Sequence, residues 1–267
     1  MQRICILTDN TVQFTQSPLA GNDLVKIIPF SHTTPGGNQK PGKNNENQDN
    51  QEVVLRNFLG EMITQYEELV IITLSRTLSP LPGLLKNVVE FFGEPGNIKI
   101  FDSQTTSIGL GFLVESAAEL ALNGATLREI DNQLRNMIPS IYTLLYLPDL
   151  DYLARAAYLT IPQAVVGEMI GVQPVFSLEN ECFTPIRKVR SIRQVMEIFH
   201  DFLDEFTGRI FAALVKADNH SQVVLKYGLK SHVPGSKQID VSMTPSLKEL
   251  LGPHAVGLFV AAEDAAL

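Results

Sequence analysis

The sequence predicts an α/β fold in two domains. The N-terminal part reads as a mainly parallel sheet flanked by helices, and the C-terminal part as an α/β domain with a mixed or antiparallel sheet. Three observations carry this. Apolar runs of strand length alternate with helically spaced segments through the first half, the pattern of a parallel sheet covered on both faces. Three of those runs, at 4–7, 69–74 and 98–101, deliver hydroxyls to their carboxyl ends. In the second half, the strand-like runs 172–178 and 182–187 flank the polar turn Glu179-Asn180-Glu181, as in a hairpin.

Taken in order, ICIL at 4–7 is the first strand, Asp9-Asn10-Thr11 its exit loop, and 25–30 a second short strand. Residues 33–51, TTPGGNQKPGKNNENQDNQ, are almost free of apolar side chains and predict a flexible surface loop, either a lid or a plain insertion. From Val53 the spacing turns helical, with Val54, Phe58, Met62 and Ile63 on one face, before the strand at 69–74. A helix at 84–92, a strand at 98–101, and a helix from about 110 to 123 ended by Gly124 follow. A helical pattern at 126–137, a strand at 143–147 and a short helix at 150–155 complete an N-terminal domain predicted to span 1–160.

The C-terminal domain, 161–267, contains the hairpin, then a helix at 192–206 whose Val195, Ile198, Phe199, Phe202 and Phe206 share a face. A strand at 213–216, a helix at 222–232, a strand at 238–241, a short helix at 246–251 and a last strand at 255–260 follow.

The 267 residues are 45% hydrophobic, enough for packed cores. With 21 Lys and Arg against 29 Asp and Glu, the net charge of −8 argues against a nucleic-acid partner, which would need clustered cations. The one basic run, Arg187, Lys188, Arg190 and Arg193, reads as a solvated edge. Cys5 and Cys182, far apart and outside any metal or redox spacing, are expected to be reduced. Residues 1–7 are too short for a secretory apolar segment, and charges or proline interrupt the longer apolar runs. A cytoplasmic protein without an integral membrane segment is expected.

Ser75, Thr77 and Ser79 follow the 69–74 strand, and Ser103, Thr105, Thr106 and Ser107 follow the next one. Hydroxyls beside helix-start amides suit a carboxylate or phosphate, and in an open α/β sheet ligands bind at that edge. The same residue types also serve as helix caps. No GxSxG elbow, GxGxxG or P-loop motif is present, and Asp9 and Asp102 are single carboxylates on separate loops, so neither a cofactor nor a metal is expected. His254, on a Gly-Pro turn before the last strand, is the best-placed histidine for acid-base work.

The order of these landmarks resembles the DegV family: ILTDNT at 6–11, LSRTLSP at 74–80, FDSQTTSIGLGF at 101–112, LDYLARAAYL at 150–159, the hairpin segment 171–191, and LLGPHAVGLFV at 250–260. The resemblance implies two α/β domains enclosing a long-chain fatty acid, its carboxylate held by hydroxyls. It also implies a carrier rather than an enzyme, some members presenting the acid to a separate fatty-acid kinase. By motif, Ser79 and Ser75 correspond to the carboxylate loop, Asp9 and Asn10 to a TDS motif with Asn10 in place of serine, and Asp102, Ser103, Ser107 and Gly109 to a DS loop. Arg187 or Arg190 stands near a basic position after the hairpin, and spacing does not decide between them.

The chain departs from the family at three places. The TSQPS segment that supplies a threonine has no counterpart, although Asn45 or Asn47 falls nearby. Where the family reads RRGGRI, Arg155 is followed by Ala156, Ala157 and Tyr158, and where it reads HxGPG, Leu250 replaces the histidine and His254 the last glycine. The changes at Tyr158 and Leu250 weigh against a kinase partner. Aliphatic runs at 165–175 and 108–113 are candidates to line an acyl slot. The alternative readings are a hydrolase or transferase using the same loops with His254 or Asp102, and a family member that binds no ligand.

Overall fold

The computed structural model describes residues 2–16, 18–31, 43–93, 96–155, 159–179, 181–217 and 236–262, without the side chains of residues 2, 3, 43–49 and 155. The chain is α/β and divides into two compact units, Met1–Ile138 and Pro139–Leu267.

The first unit is built on four parallel strands: β1 (Gln2–Thr8), β2 (Val25–Ile27), β3 (Tyr66–Thr73) and β4 (Ile98–Asp102), in the order β2-β1-β3-β4. Cys5, Ile6 and Leu7 on β1 and Val70, Ile71 and Ile72 on β3 are buried whichever face they point to, which explains why these strands read as continuous apolar runs. Helices α1 (Lys43–Gln65) and α2 (Leu81–Phe91) pack beside β3 and β4, while α3 (Ser107–Leu122) packs on β1 and β3 and against α4 (Leu127–Met137). Helix α3 stops where Gly124 turns left-handed at φ 82°, and α4 starts at a capping box made by Thr126 and Glu129.

The expected loop at 33–51 is corrected in part: 32–42 lie outside the described residues, and from Lys43 onward the chain is already helical. The asparagines of this stretch are weak helix formers, but adding turns to an existing helix costs far less than starting one, so the amphipathic segment after Val53 extends backwards. Gln51 Nε2 donates to Ser31 O at 3.1 Å, and Glu52 pairs with Arg56 one turn on.

The second unit holds a six-stranded mixed sheet. Its strands are β5 (Ile141–Tyr146), β6 (Gln173–Glu179), β7 (Cys182–Val189), β8 (Ile210–Lys216), β9 (Lys237–Ser242) and β10 (Val256–Ala262), ordered β7-β6-β5-β10-β8-β9. All neighbours are antiparallel except β8 and β9. Its helices are α5 (Leu150–Arg155), α6 (Ile161–Met169), α7 (Ile192–Leu203) and α8 (Pro245–Leu251). Val195, Met196, Phe199 and Leu203 of α7 fill one face of the sheet against Leu144, Val175, Leu214 and Leu258.

The expected hairpin is β6 and β7. The expected helix at 222–232 lies outside the described residues. The division between units falls at Ile138 rather than at the expected 160, because β5 pairs with β10, Tyr146 opposite Val256 and Ile141 opposite Ala261. A partner more than a hundred positions away leaves no local trace. The aliphatic run from 165 is the end of helix α6, introduced by a capping box of Thr160 and Gln163 with Pro162 in the first turn, followed by β6.

Candidate functional site

In the first unit β2 lies on one side of β1 and β3 on the other, so the chain reverses direction across the sheet between β1 and β3. A crevice at the carboxyl ends of the strands opens at such a reversal. The loops leaving β1, β3 and β4 meet there.

Asp9, with no exposed surface, ties them together. Its Oδ1 accepts from the N–H of Thr11 at 2.9 Å and from Thr11 Oγ1 at 2.6 Å, while its Oδ2 accepts from the N–H of Leu74 at 2.7 Å. Both carboxylate oxygens therefore position the β1 and β3 loops. Thr106 Oγ1 donates to Thr11 Oγ1 at 3.0 Å and Ser107 Oγ to Gln13 Oε1 at 2.8 Å, joining the β4 loop to the same centre. Asn10 Nδ2 donates to Phe30 O at 3.3 Å, and its buried Oδ1 has no hydrogen-bond partner among the described residues.

Ser75 is buried, its Oγ 2.8 Å from Thr77 Oγ1, and its N–H donates to Thr105 O at 2.8 Å. Ser79, buried, lies one residue before the N-cap Pro80 and accepts from the N–H of Leu81, the first residue of α2, at 3.2 Å. Accepting this bond and binding a ligand are not exclusive for a hydroxyl, which has two lone pairs and a proton. Ser103 Oγ donates to Thr105 O at 3.1 Å. Asp102 Oδ1 accepts from the N–H of Gln104 at 2.9 Å, and its Oδ2 lies 3.3 Å from Arg76 Nε. Burial pushes the Asp102 carboxyl above its ordinary value, opposed by the N–H groups of Gln104 and Arg76 and by the Arg76 charge.

Two non-glycine residues of the 103–107 loop, Gln104 and Ser107, are left-handed at φ 57° and 53°, a conformation that costs free energy and persists where surrounding contacts hold it. The glycines after it exist for space. A Cβ on Gly109 would stand 2.2 Å from Thr105 Oγ1, and one on Gly111 would stand 1.9 Å from Gln13 O. Helix α3 can sit under these loops only because both positions lack a side chain.

The second unit contributes two features. His254 Nδ1 lies 2.8 Å from Asp149 Oδ1, and the His254 N–H donates to Asp149 Oδ2 at 3.1 Å. A Cβ on Gly252, which is at φ 99°, would fall 2.7 Å from Asp149 Oδ2. His254 is thus held at two points, its ring Nδ1 and its backbone N–H, by the one carboxylate of Asp149. Separately, a cavity of about 640 Å³ opens between α6 and the hairpin, lined by Leu150, Val166, Ile170, Val172, Phe176 and Phe183, with Gln163 and Lys188 as its polar members. The rings of Phe176 and Phe183 stack at 4.2 Å.

Of the residues singled out in the sequence, Asp9, Asn10, Ser75, Ser79 and Ser103 lie on the three neighbouring loops of the first unit, Asp102 is the last residue of β4, and Ser107 and Gly109 are in the first turn of α3. Asn45 and Asn47 lie in α1 with undescribed side chains, Arg155 ends α5 likewise, and Tyr158 lies outside the described residues. Arg187 and Arg190 are exposed. In the 108–113 run, Ile108, Leu110 and Leu113 are fully buried core, whereas Val166, Ile170 and Val172 from the other aliphatic run line the cavity. Gln13, Arg76 and Asp149 escaped notice, although Asp149 stands at the exit of an apolar strand, as Asp9 and Asp102 do. Among the described residues no group of three or more His, Cys, Asp or Glu could hold a metal ion.

Fold and loops together define the class: a two-unit α/β protein whose polar residues gather at the carboxyl end of a parallel sheet. The chain belongs to the DegV family, whose model, described as "Uncharacterised protein, DegV family", matches residues 43–263. It is similar to protein DegV of Bacillus subtilis, 27% identical over 175 residues that span 61% of this chain and 62% of that one, less than two thirds of the relative's length. It also resembles the crystal structure of a fatty acid binding DegV family protein from Streptococcus agalactiae, with a TM-score of 0.74 and 16% identity over 98% of this chain and 99% of the other. A DegV family protein from Eubacterium eligens loaded with heptadecanoic acid gives a TM-score of 0.71 and 12% identity over 97% and 99% of the two chains. At these identities the structures establish a shared fold.

Proposed function

We propose that this protein is a cytoplasmic, non-enzymatic carrier of a long-chain fatty acid. The observation that carries the reading is the apolar cavity of about 640 Å³ in the second unit, within the range of roughly 300–1,000 Å³ usual for small-molecule sites. Burying an acyl chain contributes about 0.8 kcal/mol per methylene before ordering costs, so apolar surface dominates affinity and a polar group chiefly sets orientation. Within the first unit, the hydroxyls of Ser79 and the 103–107 loop, with Asp9 positioning the loops, are the groups chemically suited to a carboxylate. One similar DegV family structure described as fatty acid binding and another described as loaded with heptadecanoic acid support the same ligand class. Delivery to a fatty-acid kinase would proceed without a polar side chain at position 250, where a leucine stands.

The test is native mass spectrometry of the purified protein, followed by extraction and identification of what it holds. An acyl chain is expected in the wild type, and Val166→Trp, which fills the cavity, is expected to lose it while remaining folded by circular dichroism. A wild-type protein that stays empty when offered C16 and C18 acids would overturn the reading.

A further inference from the structure

Strand β4 is an edge of the first sheet, and among the described residues no strand pairs with its outer side. Its hydrogen bonds to β3 use alternate residues: Asn97 O accepts from the N–H of Leu69 at 2.9 Å, and the N–H of Ser103 donates to Thr73 O at 3.0 Å. In a parallel ladder this phase turns the backbone groups of Ile98, Ile100 and Asp102 away from the sheet. A groove of about 570 Å³ runs beside them, between β4 and α2. Pro82, Val89, Ile98 and Ile100 supply its apolar lining, and the paired Arg76 and Asp102 belong to its wall.

The charge in this groove runs against that of the chain. Lys86 and Lys99 line it, and neither makes a hydrogen bond or ion pair among the described residues; Glu90 is the one acid there not engaged by Arg76. On a protein of net charge −8, this is a local site for anionic side chains. Two copies joined edge to edge at β4 would bring their lysines together, which disfavours self-pairing.

We propose that the β4 edge is a docking site for an extended acidic peptide segment of another protein, which adds a fifth strand to the sheet. Its backbone pairs with Ile98, Ile100 and Asp102, its apolar side chains enter the groove on the Ile98 and Ile100 face, and its carboxylates, on the other face of the added strand, meet Lys99, while Lys86 on α2 adds to the positive potential of the groove. This is strand addition, in which main-chain bonds supply affinity and flanking side chains supply selectivity.

The test is fluorescence anisotropy with a fluorescein-labelled peptide of alternating valine and glutamate, titrated with the full chain. Saturable binding that weakens with added salt is expected, reduced at least about tenfold by K86E/K99E, the order expected when two attractive charges turn repulsive. The same peptide N-methylated at alternate residues should not bind, because it cannot complete the ladder. Absence of saturable binding, equal affinity for the double variant, or equal affinity for a valine-lysine peptide would overturn the proposal. So would a concentration-dependent dimer in sedimentation that the acidic peptide does not dissociate, since a second copy would then occupy the edge.

Discussion

The carboxylate of Asp9 accepts the backbone N–H of Leu74 at 2.7 Å, bonding the exit of β1 directly to the exit of β3 at the point where the sheet reverses. With the two bonds from Thr11, this buried acid holds both walls of the crevice. Asp9→Ala leaves those donors without their acceptor in a closed site and should cost about 2–4 kcal/mol in urea denaturation. Asp9→Asn, which keeps one acceptor, should cost less. Equal stability of the alanine variant and the wild type would remove Asp9 from this role.

Ser79 has two tasks that can be measured apart. Ser79→Ala removes the acceptor for the Leu81 N–H and should lower stability by about 0.5–1.5 kcal/mol. It should also weaken retention of a bound acid by about 0.5–1.5 kcal/mol, the net worth of one hydrogen bond. Ser79→Asp is expected to keep an acceptor for the Leu81 N–H and to repel a carboxylate. Full acyl occupancy in Ser79→Asp, measured by native mass spectrometry, would place the carboxylate elsewhere.

Gly111→Ala should destabilise the protein by about 1–3 kcal/mol, the usual cost of overpacking, because its Cβ meets the backbone oxygen of Gln13, which cannot move aside as a side chain would. Gly83→Ala, with nothing within 4 Å of the new carbon, is the control and should be close to neutral. Thermal denaturation of the pair reads the difference directly.

Asp102 gives a pH dependence with a defined sign. Burial raises its pKa in the folded protein, so the fold favours the protonated form. The resulting stabilisation is present below the unfolded value, about 3.9, and is lost as pH rises through the higher folded value. The Tm of Asp102→Asn minus that of the wild type should therefore grow more positive from about pH 3 to pH 6. A flat or falling difference would contradict the burial effect.

The two cysteines should react unequally. Both are free, Cys182 on the surface and Cys5 in the core, where burial pushes the thiol up to about 11. Iodoacetamide at neutral pH should modify Cys182 in the native protein and reach Cys5 only after unfolding, because the thiolate is the nucleophile. Peptide mapping distinguishes the two.

Hydrophobic periodicity, a local property, was sufficient to expose most elements. The runs 4–7, 69–74 and 98–101 are strands, the first two buried and the third a half-buried edge, and the hydroxyls after them do converge. Helix α1 was legible only from Val53 because its first turns carry no apolar stripe, and their helicity comes from propagation. Aliphatic residues were ambiguous for the same reason: 108–113 and 165–175 are equally apolar, yet one is core and the other contributes to a cavity wall.

By itself the chain determined an alternating α/β layout, the strand ends where polar groups collect, and the family to which it belongs, all consequences of short-range pattern. Tertiary structure alone decided that Asp9 spends its carboxylate on Thr11 and Leu74, that Asp149 holds His254, and that β5 joins β10 in the second unit. Each of these is a contact between residues brought together by packing, and hydrogen-bond geometry between distant positions has no signature along a chain.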